Sequence, residues 1–240
     1  MKTIKKSDNQ IVFTAEMDES LANSIRRYLN QIPVLAIDEV EISKNDSPLY
    51  DETIAHRIGL IPIKTLASVT DNTEIKDKID VKKEGMVCSK EFTKSGVIYG
   101  EIPLTSLKKG QELELTSIAR VGRGFQHSKF SPGLMFYRNL FDVKIEKDCP
   151  QEVADKCPKK VFKIENGKLT VVNNSKCDMC EACTDFCKKK GKPESIKITP
   201  TNELLITLES FGQMSVDDIF KRSINLLQKD LGEVSKKLGK

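Results

Sequence analysis

Apolar positions change their spacing several times along the chain, and each change marks an element. Ile11-Val12-Phe13 is a short apolar run behind polar residues and predicts a strand. From Asp18 the spacing turns helical: Leu21, Ile25, Tyr28, Leu29 and Ile32 fall on one side, Asp18 is placed to cap the run and Pro33 ends it. Arg26 and Arg27 lie on the opposite face. Residues 33–37, with Val40 and Ile42, return to strand and stop at the turn-forming run Lys44-Asn45-Asp46-Ser47-Pro48. Asp51 to Leu60 reads as a short helix closed by Gly59 and Pro62.

Residues 64–96 are polar with little periodicity and read as a loop-rich insertion with short strands. Alternation from Ile98 to Ile118 predicts strands joined around Lys108-Lys109-Gly110, and Gly122-Arg123-Gly124 reads as a flexible turn. Phe141 to Ile145 alternates as a strand, and Ile196/Ile198 and residues 204–208 read as two more. The last element is a helix opened by Ser215 and Asp218, a variant of the capping box, with Val216, Ile219, Phe220, Leu226, Leu227, Leu231, Val234 and Leu238 down one broad side.

Composition adds one sharp feature. Six of the seven cysteines fall between Cys149 and Cys187, and only Cys88 lies outside. Residues 144–192 hold 12 lysines against 8 acids, so this stretch carries a surplus equal to the whole chain's +4. The basic character is local and gives no reason to expect DNA contact. The opening residues lack an apolar core of the signal-peptide kind, and no apolar run reaches 18 residues. A cytoplasmic protein without a membrane span is expected, and in a reducing compartment crowded cysteines read as a metal or cluster site before disulfides.

Cys177, Cys180, Cys183 and Cys187 form C-x2-C-x2-C-x3-C. Three thiolates so close together can reach three corners of one cuboidal iron–sulfur cluster, while loop N–H groups bond its sulfurs. In the bacterial ferredoxin arrangement the fourth cysteine of such a run serves another cluster, and a distant Cys-Pro completes the first. Two Cys-Pro pairs exist here, at Cys149 and Cys157. A second half-motif ending at Cys157 would need cysteines at Val153, Pro150 and Lys147, and none is there. Cys157, Cys177, Cys180 and Cys183 are therefore the expected ligands of one cluster, 4Fe–4S preferred and 3Fe–4S after loss of an iron. Cys149 and Cys187 remain as spare thiols or a redox-sensitive pair. Zinc competes, although structural zinc sites usually use two C-x2-C knuckles set apart; a metal-free site is the third reading. With one site and no flavin or nucleotide fingerprint, a structural or redox-sensing role is more economical than electron transfer.

Three stretches carry a family resemblance: residues 22–27 (Ala-Asn-Ser-Ile-Arg-Arg), residues 33–37 (Pro-Val-Leu-Ala-Ile), and residues 51–63 from Asp51 through His56-Arg57 to Ile63. They resemble the signature of the alpha-type assembly subunits of DNA-directed RNA polymerase, and the ferredoxin-like insert resembles the archaeal, D-type branch. Gly122-Arg123-Gly124, His127, Lys129 and Pro132 are similar to a later family motif, and residues 209–212 with the last helix to its closing segment. The resemblance implies an α+β fold: a discontinuous alpha-type dimerisation domain from 1–43 and 198–240, an inserted mostly-β domain at 44–145, and a ferredoxin-like iron–sulfur module at 146–197. It further implies a heterodimer with the small subunit L, docking of subunits N and P, contact with the large catalytic subunits, and no catalysis by the chain alone. Leu21, Ile25, Arg26, Arg27, Tyr28, Leu29, Ile219, Phe220, Leu226 and Leu227 are the candidate partner interface; taken singly, each apolar one reads equally well as ordinary core. The rival reading is a ferredoxin-like electron carrier fused to a binding domain.

Overall fold

The computed structural model describes residues 1–66, 69–146 and 148–239, so Ala67, Ser68, Lys147 and Lys240 lie outside the described residues. The chain divides into two compact units, one of Met1–Ile4, Val12–Ala22 and Tyr137–Ile206, the other of Lys5–Ile11, Asn23–Phe136 and Thr207–Lys240. In order, the elements are β1 (Lys2–Lys6), β2 (Gln10–Glu16), α1 (Glu19–Leu29), β3 (Pro33–Asn45), α2 (Asp51–Gly59), β4 (Glu74–Val81), β5 (Gly85–Cys88), β6 (Pro103–Leu107), β7 (Leu113–Arg123), β8 (Gly133–Ile145), α3 (Val153–Lys156), β9 (Phe162–Glu165), β10 (Lys168–Val171), α4 (Ala182–Lys189), β11 (Ile196–Ser210) and α5 (Val216–Leu238). A four-stranded sheet has the order β1-β2-β11-β8.

In the second unit, β7 is the middle of a three-stranded antiparallel sheet. It pairs β3 from Pro33↔Arg123 to Asn45↔Leu113, with register shifts at Ile37/Glu39 and Ile42/Lys44, and pairs β4 from Glu74↔Arg120 to Val81↔Leu113. Alternation along β7 sends Leu113 and Leu115 inward. α2 places Ile54 and Ile58, one turn apart, into the same core with Leu35, Ile37, Ile61 and Ile63. In the first unit, the stretch after β8 folds as the two short helices α3 and α4 around the hairpin β9–β10, which closes at Asn166-Gly167 with both residues at positive φ.

Four sequence expectations change. Within 64–96, β4 is a complete member of the sheet: Asp77 points inward, only 1% exposed, so the strand does not alternate apolar with polar. Its carboxylate accepts from the N–H groups of Lys94 and Ser95 at 2.7 and 3.0 Å and from the Ser95 hydroxyl at 3.1 Å. Gly122 and Arg123 belong to β7 and form no flexible turn; a Cβ on Gly122 would stand 2.6 Å from the Phe130 ring, so that glycine makes room for packing. β8 begins at Gly133, well before Phe141, and a Cβ on Gly133 would meet the Glu209 carbonyl oxygen at 2.1 Å, so that glycine lets two backbones approach closely. The two strands expected after residue 195 are one, β11, running through Pro200.

Candidate metal centre

The thiol loop is built by backbone reversal. A 3-10 turn at Asn174–Lys176 delivers Cys177, and Met179 and Glu181 then adopt left-handed backbone at φ 57° and 59°. Such conformations cost energy outside glycine and persist only where the surroundings hold them. They coil the chain so that Cys177, Cys180 and Cys183 line one pocket, joined there by Cys157 from just beyond α3. Val143, Val161 and Phe162 supply apolar wall. Cys157, Cys177 and Cys183 are buried and Cys180 is exposed. The structure thus brings the four expected ligands together across the 20 residues that separate Cys157 from Cys177.

Backbone donors already address the sulfurs. Val161 N–H lies 3.5 Å from the Cys157 sulfur, and the Met179 and Thr184 N–H groups stabilise the Cys177 and Cys183 thiolates. Burial works the other way, raising the Cys177 thiol and pushing Cys183 up to about 11. Without a cation these two thiols therefore stay protonated at neutral pH, and a bound metal would displace those protons. Lys159 pairs with Asp178 at 3.1 Å beside the pocket, and the hydrogen bond from Lys159 holds the Asp178 carboxyl below its ordinary value.

Among the described residues no three His, Cys, Asp or Glu side chains are grouped so as to hold one metal ion. A structural zinc site needs such convergence on a single centre. A cuboidal cluster ligates each thiolate through a different iron, so its sulfurs stand farther apart around a common cavity. The donor set is all thiol, the chemistry that an iron–sulfur cluster would take on Cys157, Cys177, Cys180 and Cys183. A wider groove in the same unit, lined by Glu146, Asp148 and residues 192–197, presents no thiol.

Cys149 and Cys187 do not line the pocket, but they stand together elsewhere in the same unit. Cys187 is fully buried, and burial followed by the neighbouring Cys187 pushes the Cys149 thiol up to about 12. Both are free thiols, as is buried Cys88.

The expected interface residues separate by burial. Ile25, Leu29, Ile219 and Leu227 are buried in the chain's own core, the alternative that the sequence left open for each apolar residue. Phe220 and Leu226 are half-buried, Leu21 is exposed, and Tyr28 donates from its hydroxyl to Asp230 at 2.9 Å. Arg26 and Arg27 are exposed, with Arg26 bonded to Asn23 on its own helix. Sequence reasoning missed the continuation: Leu231, Val234 and Leu238 stay exposed along α5 beyond Leu227, its last buried residue. Their spacing was visible, but their lack of own-chain cover was not. Arg57, beside His56 on α2, donates to the Pro103 carbonyl. His127 accepts from Lys129 N–H at 3.1 Å and caps a 3-10 turn.

Fold and pocket together define a mixed α+β protein with a small thiol-lined module. The chain belongs to the RNA polymerase Rpb3/Rpb11 dimerisation domain family, whose pattern matches residues 12–231. It is 30% identical to DNA-directed RNA polymerase subunit Rpo3 of Methanosphaera stadtmanae, over 93% of this chain and 92% of that protein. Rpo3 of Pyrococcus horikoshii is also 30% identical, over 95% and 93%. DNA-directed RNA polymerase II subunit rpb3 of Dictyostelium discoideum is 26% identical, over 95% and 91%. Among the described residues no helix is long and apolar enough to cross a membrane.

Proposed function

We propose that the chain is the D-type (Rpo3) assembly subunit of an archaeal DNA-directed RNA polymerase, non-catalytic by itself. It pairs with the small subunit L to form a platform that subunits N and P dock on and that carries the large catalytic subunits. The family match through residues 12–231 carries this reading. The exposed stripe Leu231, Val234 and Leu238 supports it: an amphipathic helix that outruns its own core leaves apolar surface for a partner. Co-expression with a subunit L should give a stable heterodimer, and Leu231→Asp should weaken the pair at least tenfold while the chain stays folded. A monomer that ignores L and exchanges electrons with a reductase would instead establish the ferredoxin-like carrier.

Under the same reading the thiol pocket, with its flanking hairpin and short helices, is a ferredoxin-like module holding one iron–sulfur cluster on Cys157, Cys177, Cys180 and Cys183. The cluster would supply cross-links between segments of low apolar content and a centre sensitive to oxidants. Anaerobic preparations should be brown and hold about four irons per chain, or about three after air exposure, and Cys180→Ser should lower that content. A colourless protein with one zinc would overturn the cluster.

A further inference from the structure

Arg138 lies on β8, half-buried, and its guanidinium reaches the turn that presents the first cysteine of the loop. Nη1 donates to the Cys177 carbonyl at 3.0 Å and Nη2 donates to the Ser175 carbonyl. A planar fork suits two carbonyls on the same turn, and an ammonium does not. The strand grips the turn a second time: Val143 N–H donates to Asn174 Oδ1 at 3.0 Å, and Asn174 Nδ2 donates to Asp142 Oδ1 at 3.3 Å. Cys177 is thus fixed from outside the thiol loop, by a regular strand. Both described partners of Arg138 are carbonyl oxygens, so its full positive charge stays beside a ligand of the pocket.

We propose that Arg138 is a positioning residue for the cluster, clamping Cys177 to β8 and stabilising the negative charge that four thiolates bring. The inference rests on the cluster reading above. A group held by four thiolates is anionic and becomes more so on reduction, so an adjacent cation favours the reduced form. Two separable effects follow, one from the charge and one from the fork.

The test uses the full chain co-expressed with subunit L and purified without air, in wild-type, Arg138→Lys and Arg138→Gln forms. Iron content, a redox titration with dithionite followed by electron paramagnetic resonance, and the rate of bleaching in air are measured. Arg138→Gln should titrate at a more negative potential and bleach several-fold faster. Arg138→Lys should keep a potential close to wild type and still bleach faster, because the charge remains while the bridge is lost. A role in folding alone would not separate potential from bleaching in this way. An Arg138→Gln protein with wild-type potential and bleaching overturns the inference and leaves the cluster reading intact. A wild-type protein without iron overturns both. Should Arg138→Gln not fold, Arg138→Lys and Asn174→Ala decide: both must bleach faster, and unchanged rates sink the clamp.

Discussion

The sheet β3-β7-β4 and the thiol module hold themselves together by different means. The first packs Leu113, Leu115, Ile54 and Ile58, all fully buried, in a continuous aliphatic core. In the second, four of nine buried core residues are cysteines, set among Val143, Val153, Val161, Phe162 and Ile196. A cysteine is a small hydrophobe and removes little apolar area from water. If the proposed cluster is present, the module should depend on the group that joins Cys157, Cys177, Cys180 and Cys183, and the sheet should not. Stripping iron with a chelator under nitrogen should break the comparison most visibly. Amide hydrogen exchange across 153–189 should rise to near-unfolded rates, while β3, β4 and β7 keep their protection. Equal protection before and after would show a module stable on its own packing.

The converse perturbation strikes the aliphatic side. Leu115→Ala empties a fully buried position near the start of β7, the central strand of the sheet. Such truncations cost about 2–5 kcal/mol, because the cavity collapses only in part. Urea unfolding followed by a probe in the sheet should show that loss, with iron content per chain unchanged. If Leu115→Ala releases iron as readily as a cysteine variant, the two regions fold as one unit and the contrast fails.

The same contrast explains what was legible in the sequence. Cys177, Cys180 and Cys183 announce themselves because their spacing is local, and Cys157 follows from the Cys-Pro pairing of the ferredoxin pattern. Arg138 left no trace, since its partners are backbone carbonyls 37 and 39 residues away, and a carbonyl has no side-chain signature. β4 was hidden by Asp77, an inward carboxylate satisfied by main-chain donors that no periodicity reports. The helices α1, α2 and α5 were readable from apolar spacing, but own-chain core and partner-facing surface share one period. Burial alone separates Ile219 and Leu227 from Leu231 and Val234. Gly122 reads in the sequence as part of a flexible turn, and only its neighbour, the Phe130 ring, shows it to be a packing site.

The smallest expected effect lies on the exposed face of the sheet and sharpens the comparison through pH. Charged pairs cross the three strands: Arg120 bridges Glu39 and Glu74, Lys44 and Lys82 meet at Glu112, and Lys78 meets Glu114 at 2.6 Å. Hydrogen bonds hold Glu74, Glu112 and Glu114 below the ordinary glutamate value of 4.5: from Arg120 to Glu74, from Lys44 and then Lys82 to Glu112, and from Lys78 to Glu114. A carboxyl lowered in the folded state contributes stability that is fully present above its unfolded pKa and disappears as pH falls through its folded value. The sheet should therefore keep its full stability near neutrality and lose a modest part as pH drops below about 4.5, and added salt should shrink the difference because the pairs are exposed. Glu112→Gln removes the most heavily bridged acid, so urea midpoints at pH 7 and pH 3.5 should lie closer together in that variant than in wild type. An unchanged gap would mean that the acid sensitivity of this face arises elsewhere, and that the charged ladder covers the sheet without stabilising it.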